Sequence, residues 1–422
     1  MAFLLYIFQI YLGSFYENEF RCTFTGIELQ VMITVPQAIQ LVEKHTIPTS
    51  NTINIPTTGS LGYVLAKDVV SPINMPPFKQ SAMDGYALGS TNQTEFSLVG
   101  EIKAGDAHMP EIKEGEAIRI FTGAPVPPKA MAVVMQEKVD ASGTHIKLHE
   151  PIVANANIRP MGEQIKTGDI ALQKGTKITA SGIGYLATLG ITHVEVYKKP
   201  SVGIITTGNE LVPPGQSLKP GQIYESNSSM LTAALYQSGI TEVSCYKVVD
   251  EYDATRNIIE SAVQKHEMIL ISGGISVGDY DFVGKALREL NVTEIFYKVK
   301  QKPGKPLFYA TKEDKNIFAL PGNPASSLSC FYIYVLPALL KYSGFSEYHL
   351  QRSKGVAQSK YIKKGQRAEF LKAICKEGKV IILDGQASSM LRSFALSNAL
   401  VYLPEDITEV NPGDTLEVIN LP

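Results

Sequence analysis

Met268-Ile-Leu-Ile-Ser272 ends in two adjacent glycines, Gly273 and Gly274, and a helical pattern begins at Phe282. Four consecutive apolar residues, Met268 to Ile271, are the mark of a strand buried on both faces, which is what a parallel sheet requires. Glycines at the end of such a strand let the chain turn sharply and let backbone approach a ligand, because neither carries a Cβ. With a helix over Phe282–Leu290, the intervening loop presents Ser276, Asp279 and Asp281 near a helix N-terminus. In an open α/β sheet, ligands bind at the carboxyl ends of the strands. There, backbone N–H groups and the helix dipole favour anions.

The flanking sequence repeats this alternation. The patterns predict strands over 202–206, 243–248, 268–272, 295–299, 306–311 and 316–320. They predict helices over 226–238, 253–265, 282–290 and 325–342, with Ser226 as N-cap of the first. Strand–helix alternation of this kind predicts an α/β region with a largely parallel sheet over 197–344. Upstream the texture differs. Short alternating runs at Glu95–Val99, Glu116–Phe121, Ala132–Gln136 and His145–Leu148, punctuated by Gly and Pro, predict a small β-rich module inserted over 71–153. Around it, 32–70 and 154–196 read as one discontinuous helical and linker region. It holds a helix over 32–46 capped by Thr34 with Pro36 in its first turn, a strand within Gly62–Val70, and a helix at Ala180–Leu189. Short strands return over 345–422 and predict a small closing β-domain. The fold class is therefore α/β plus β-rich modules, in several domains.

A chain of 422 residues, 44% of them apolar, has enough material for several cores. Its net charge of −2 points to no nucleic-acid or acidic-membrane partner. The four cysteines, Cys22, Cys245, Cys330 and Cys375, have no zinc spacing and fit a reducing cytoplasmic setting. The apolar stretch Phe3–Tyr16 lacks a basic n-region and falls short of the roughly 20 residues of a membrane span. Met32 opens a segment that reads as an ordinary start, so residues 1–31 are expected to be an extension without a membrane role.

Polar groups gather at the predicted strand ends: Thr207–Glu210, Asp250, Gly273–Asp281 and Pro321-Gly322-Asn323-Pro324-Ala325-Ser326. Lys302-Pro-Gly-Lys-Pro306 holds two lysines in a rigid turn, which suits an oxyanion or phosphate. Glu210, Asp250 and Asp281 supply the oxygen ligands that Mg²⁺ prefers when it bridges to phosphates. A turn aspartate such as Asp84, before Gly85, ordinarily serves only as a local backbone acceptor. Thr122-Gly123 reads as a turn that exposes a hydroxyl. Neither Gly-x-x-x-x-Gly-Lys-Ser/Thr nor Gly-x-Gly-x-x-Gly occurs. Gly274-Ile-Ser-Val-Gly278 matches a nucleophile elbow only literally, with no histidine partner evident.

Six motifs occur in order: Ser81-Ala-Met-Asp-Gly-Tyr-Ala87, Thr122-Gly-Ala-Pro-Val-Pro127, Thr207-Gly-Asn-Glu-Leu211, Ser272-Gly-Gly-Ile-Ser-Val-Gly-Asp-Tyr-Asp281, Lys302-Pro-Gly-Lys-Pro306 and Leu320-Pro-Gly-Asn-Pro-Ala-Ser326. Over roughly 32–422 the chain resembles the MoeA family of molybdopterin molybdenumtransferases, related to the E domain of gephyrin. The resemblance implies an elongated, multidomain homodimer with a MogA-like α/β molybdopterin-binding domain and a C-terminal small β-domain. It implies insertion of molybdate into adenylyl-molybdopterin with Mg²⁺ and release of AMP. Glu210, Asp250 and Asp281 would form the acidic, metal-holding group. Lys302 and Lys305 would act in catalysis, together with Asp84 and Thr122 facing the α/β domain of the other subunit. Gly273, Gly274, Ser276, Gly278, Asp279, Pro321, Gly322, Asn323, Ser326, Arg367 and Ser389 would contact substrate. A MogA-like adenylyltransferase would be a partner. One departure is Gln164, where the resemblance leads one to expect an aspartate. Two other readings remain open at this level: a molybdopterin adenylyltransferase and a gephyrin-like scaffold.

Overall fold

The structure is a computed structural model of the 422-residue chain, and it describes residues 32–106, 108–275 and 282–422 together with a two-strand pair, Thr23–Phe24 and Ile27–Glu28. The Phe3–Tyr16 stretch, Ser276, Gly278, Asp279 and Asp281 lie outside the described residues. Among the described residues no helix is long and apolar enough to cross a membrane. Two units emerge, one made of residues 1–50 and 198–422 and the other of 51–197.

In the unit of residues 51–197, a six-stranded sheet runs in the order Val139–Ser142, His145–Leu148, Glu95–Ile102, Glu116–Ile120, Gly85–Leu88, Ala132–Met135. Its two faces carry separate cores. Ala87, Ile118, Ile120 and Val133 pack on one, and Leu88, Ala117, Val134 and Ile146 on the other, as period-2 alternation dictates. A third core, with Leu65, Ile178, Leu186 and Val196, sits under the helix Ala180–Thr188, whose Thr179 side chain accepts from the Gly182 N–H. The strand expected within Gly62–Val70 is replaced by a turn with single bridges at Val64 and Leu65, and regular pairing begins only at Val69–Val70. Gly62 adopts a positive φ of 74°, and Leu65 and Ala66 donate to two different partners, Thr176 and Glu195. A segment shared between partners cannot extend one ladder.

The other unit opens with α1, Val35–His45. Thr34 and Gln37 form a capping box, and Pro36 lies in the first turn. The sequence reading grouped this helix with 154–196. Instead its buried face, Val35, Ala38 and Val42, joins the core of Leu336, Ala338 and Leu339. The α/β sheet consists of β1 (Val202–Thr207), β2 (Val243–Val248), β3 (Met268–Ser272), β4 (Thr293–Tyr297), β5 (Phe308–Lys312) and β6 (Lys315–Leu320), in the order β2-β1-β3-β6-β5-β4. Its first four strands are parallel, and only β5 is reversed, running antiparallel to both β6 and β4. Ile204, Leu270 and Phe318 face one layer, and Ile205, Ile269, Ile271 and Ile317 the other, where helices Tyr252–Lys265 and Phe282–Glu289 cover them. Each such side chain contributes roughly 1.5–3 kcal/mol on full burial.

Two local expectations change. Ser226 makes no capping bond to helix Asn227–Gln237. The Glu225 carboxylate accepts the Ser228 N–H at 3.0 Å instead. The single helix expected over 325–342 becomes Pro324–Cys330, a π-helical stretch Phe331–Val335, and Leu336–Tyr342. Pro337 has no N–H to donate and crowds the carbonyl one turn back, so an uninterrupted α-ladder is not available.

The C-terminal sheet links Gln301–Lys302, Ala368–Lys376, Lys379–Ile382, Arg352–Ala357, Thr415–Asn420 and Ala399–Leu403. The last of these pairs back onto Ala368–Lys376 and closes a ring. Leu371, Ala373, Val380, Val401 and Val418 fill it. Ala368 and Phe370, on the opposite face of the same strand, pack against the α/β core.

Candidate functional site

β1 ends at Thr207, whose hydroxyl donates to Asp250 Oδ1 in the loop after β2. The Asn209 N–H donates to Asp250 Oδ2 at 3.3 Å. Asp250 thus carries neutral donors on both oxygens and no ion pair among the described residues. Glu210 is exposed and its carboxylate has no described partner. It lies against Gly208, where an added Cβ would stand 2.9 Å from Oε2. Asp281, the third expected acid, is outside the described residues. Among those described, no group of three or more His, Cys, Asp or Glu is arranged to hold a metal ion.

β3 delivers Gly273 and Gly274 at positive φ, 94° and 65°. A Cβ on Gly273 would meet the Thr207 carbonyl oxygen at 2.5 Å, and one on Gly274 would meet Val283 at 2.7 Å. No other residue fits either position. Gly322, after β6, brings a notional Cβ to 3.7 Å from Gly273 Cα, so the Pro321-Gly322-Asn323 loop lies beside the glycine turn. Asn227 ties the two together, its Nδ2 donating to Ser272 Oγ and to the Gly322 carbonyl, both at 2.8 Å. The sequence reading passed over Asn227, although it directly follows the proposed cap Ser226. Ser326 is buried in the helix that follows Asn323. Its carbonyl oxygen lies 3.7 Å from the position a Cβ on Gly304 would take, which places the lysine loop against that helix.

Lys302 does not present a bare ammonium. Its Nζ pairs with Glu369 Oε1 at 2.9 Å, and Glu369 Oε2 accepts the Tyr361 hydroxyl at 2.7 Å. Burial and this hydrogen bond to Glu369 push the Tyr361 phenol well above its ordinary value. Lys305 has no described side-chain partner, and its carbonyl accepts the Val299 N–H at 3.0 Å. Arg367 donates to the Gln301 carbonyl at 3.1 Å, so it fixes the same loop from the C-terminal ring. Ser389 is exposed, and its neighbour Ser388 accepts from Asn323 Nδ2 at 3.0 Å. That loop is held from below. Buried Lys372 donates to the carbonyls of Gly385, Ala387 and Met390 at 2.9, 3.2 and 3.3 Å, and burial pushes its ammonium down to about 8. Gln386 bonds both the N–H and the carbonyl of Lys372. Glu369 and Lys372 were missed, yet each interrupts the apolar run Ala368-Glu-Phe-Leu-Lys-Ala-Ile374, and that interruption was the available signal.

Asp84 and Thr122 belong to the other unit and meet there. Asp84 Oδ1 accepts the Thr122 N–H and the Thr122 hydroxyl, both at 2.8 Å, across 38 residues. Asp84 is therefore no local acceptor, and these bonds, backbone first, hold its carboxyl below the ordinary value. Arg119 lies between the Tyr86 and Phe121 rings, 5.0 and 4.9 Å from their centroids. Gly85 permits the close approach of the Ala132–Met135 strand, since a Cβ there would stand 1.8 Å from the Val134 carbonyl oxygen.

Residues 33–190 match the family model described as MoeA N-terminal region (domain I and II), 203–341 the model described as "Probable molybdopterin binding domain", and 354–421 that of MoeA C-terminal region (domain IV). A molybdopterin molybdenumtransferase of Staphylococcus epidermidis is 34% identical over 407 residues, with 93% of this chain and 97% of the relative covered. The chain belongs to the MoeA family. A Staphylococcus aureus molybdopterin molybdenumtransferase is 32% identical over 408 residues, covering 93% and 96%. The crystal structure of the molybdopterin biosynthesis moeA protein from Pyrococcus horikoshii OT3 superposes with a TM-score of 0.80 at 30% identity, covering 92% of this chain and all of that one. Within this MoeA-family fold, the loops after β1, β3 and β6 lie side by side, and the lysine loop lies against the helix that follows β6.

Proposed function

We propose that this chain is a molybdopterin molybdenumtransferase that takes molybdate and adenylyl-molybdopterin, works with Mg²⁺, and releases AMP. The observation that carries the reading is the division of charge in one unit. Glu210 and Asp250 stand at the ends of β1 and β2, and Lys302, Lys305 and Arg367 gather on the Gln301–Pro306 loop and the strand beside it. A dianion is held by cations and hydroxyls, whereas the phosphoanhydride of an adenylylated pterin calls for a metal held by carboxylates.

The acidic residues fit Mg²⁺. Glu210 has no described partner, and each Asp250 oxygen accepts a single hydrogen bond and keeps a lone pair free. Glu210, Asp250 and Asp281 would hold the ion, which supplies charge neutralisation and Lewis acidity at the phosphoanhydride. The protein's own residues do the rest. Gly273 and Gly274 let the strand-end loops pack closely side by side, and with the Pro321-Gly322-Asn323 loop they are assigned to substrate contact. Lys305, whose ammonium has no partner among the described residues, offers it to the oxyanion. Ser276, Gly278, Asp279, Ser326, Arg367 and Ser389 are assigned to substrate contact. In this reading the chain works in the cytoplasm as a homodimer, with Asp84 and Thr122 of one subunit serving the α/β domain of the other. A MogA-like adenylyltransferase supplies the adenylylated substrate.

Purified chain mixed with adenylyl-molybdopterin, molybdate and Mg²⁺ is expected to release AMP in proportion to enzyme. Absence of AMP release with an intact chain overturns the proposal.

A further inference from the structure

Glu369 is 1% exposed on a strand whose neighbours are apolar. A carboxylate so far removed from water costs several kcal/mol unless its oxygens are paired. Here both are used, one on the Lys302 ammonium at 2.9 Å and one on the Tyr361 hydroxyl at 2.7 Å. Backbone register enforces the pairing. Gln301–Lys302 runs parallel to Ala368–Glu369 with Lys302 opposite Glu369, so the two side chains are cross-strand neighbours by construction.

The same lysine faces outward. Its side chain is 34% exposed and lines an open cleft of about 680 Å³ together with Lys360, Tyr361 and Lys364. An ammonium has three donors, and the Glu369 bond uses one, which leaves two for the cleft. Lys305, three residues on, has no such partner among the described residues. Among the described residues, only Lys302 of the two motif lysines is therefore ion-paired.

We propose that Glu369 is a positioning residue for the oxyanion step. Its buried carboxylate orients Lys302 and cancels its charge, so an incoming molybdate meets an aligned donor without a full extra positive charge and is not retained. This inference rests on the reading of Lys302 as an oxyanion contact. Tyr361 acts through Glu369, because its hydroxyl fixes the rotation of the carboxylate that holds the lysine.

Initial rates of AMP release against molybdate concentration, with adenylyl-molybdopterin and Mg²⁺, test this for the wild type and three variants. In E369Q the counter-charge is gone and the glutamine can accept from only one of the two donors. The KM for molybdate is expected to fall at least threefold, with a steeper dependence on ionic strength, while kcat falls at least tenfold. A purely structural lesion would not lower KM. KM and kcat both within twofold of wild type overturn the inference. Should E369Q fail to fold, Y361F keeps both charges and removes one hydrogen bond: kcat is expected to fall three- to tenfold with KM within twofold, and an unchanged kcat overturns the inference. K302M separates the two levels. Unchanged KM in K302M removes Lys302 from the oxyanion site altogether, whereas raised KM in K302M beside wild-type behaviour in E369Q overturns only the role of Glu369.

Discussion

The acidic and basic halves of the site are built by opposite rules. At the ends of β1 and β2, Asp250 is held by a hydroxyl and an N–H, and Glu210 by nothing, so neither is matched by a cation among the described residues. On the Gln301–Pro306 loop, Lys302 is matched by a buried carboxylate 67 residues away, and Lys305 has no partner among the described residues. Neutral donors orient an anion without discharging it, whereas an ion pair does both. The charge a ligand meets at a site therefore cannot be counted from its motif residues alone.

Three substitutions sharpen or break that contrast. The largest effect belongs to Lys302→Met. It strands a buried Glu369 with only Tyr361 as partner, and stability should drop by about 2 kcal/mol, reduced from the full buried-pair cost because the lysine is partly exposed. Denaturant titration against wild type measures it, and an unchanged midpoint would show the pair to be energetically idle. Lys305→Met should do the reverse, moving stability by less than about 0.5 kcal/mol while AMP release collapses. Equal stability losses in the two variants would erase the distinction between them.

The smallest effect tests the neutral-donor rule in the other unit. Asp84 has its carboxyl held below the ordinary 3.8 by Thr122, first through the N–H and then through the hydroxyl. Its folded value lies under its unfolded one, so its contribution to stability is present above the unfolded pKa and is lost as pH falls through the folded value. Thr122→Val removes the hydroxyl and keeps the N–H. The Asp84 titration followed by NMR should move part of the way back to the ordinary value, and no movement would assign the whole shift to the backbone.

Much of the fold was legible because its signals are local. The central strands β1, β3 and β6 follow from apolar runs buried on both faces, and the Thr34 cap from a threonine three residues before Gln37. The glycine turn at Gly273 followed from the absence of a Cβ, and the close approach of the Thr207 carbonyl supplies the reason. Misreadings arose where a partner was remote. The Tyr63–Ala66 run looks like a strand, but its backbone divides its bonds between Thr176 and Glu195. Helix α1 shows an apolar stripe, but a stripe does not say which core will take it. Pro337 was readable as a break in the helix and was passed over.

By itself the sequence determined the class of the fold, its six ordered motifs, and which residues carry charge near the strand ends. Those properties depend on side-chain chemistry and on neighbours a few residues away. Only the tertiary structure decided that Lys302 is compensated by Glu369, that Asn227 clamps two loops, and that Lys372 carries the loop around Ser389. Each of those is a contact between segments distant along the chain. It is specified by the register of Gln301–Lys302 on Ala368–Glu369 and by the closure of the C-terminal ring, and neither has a local signature.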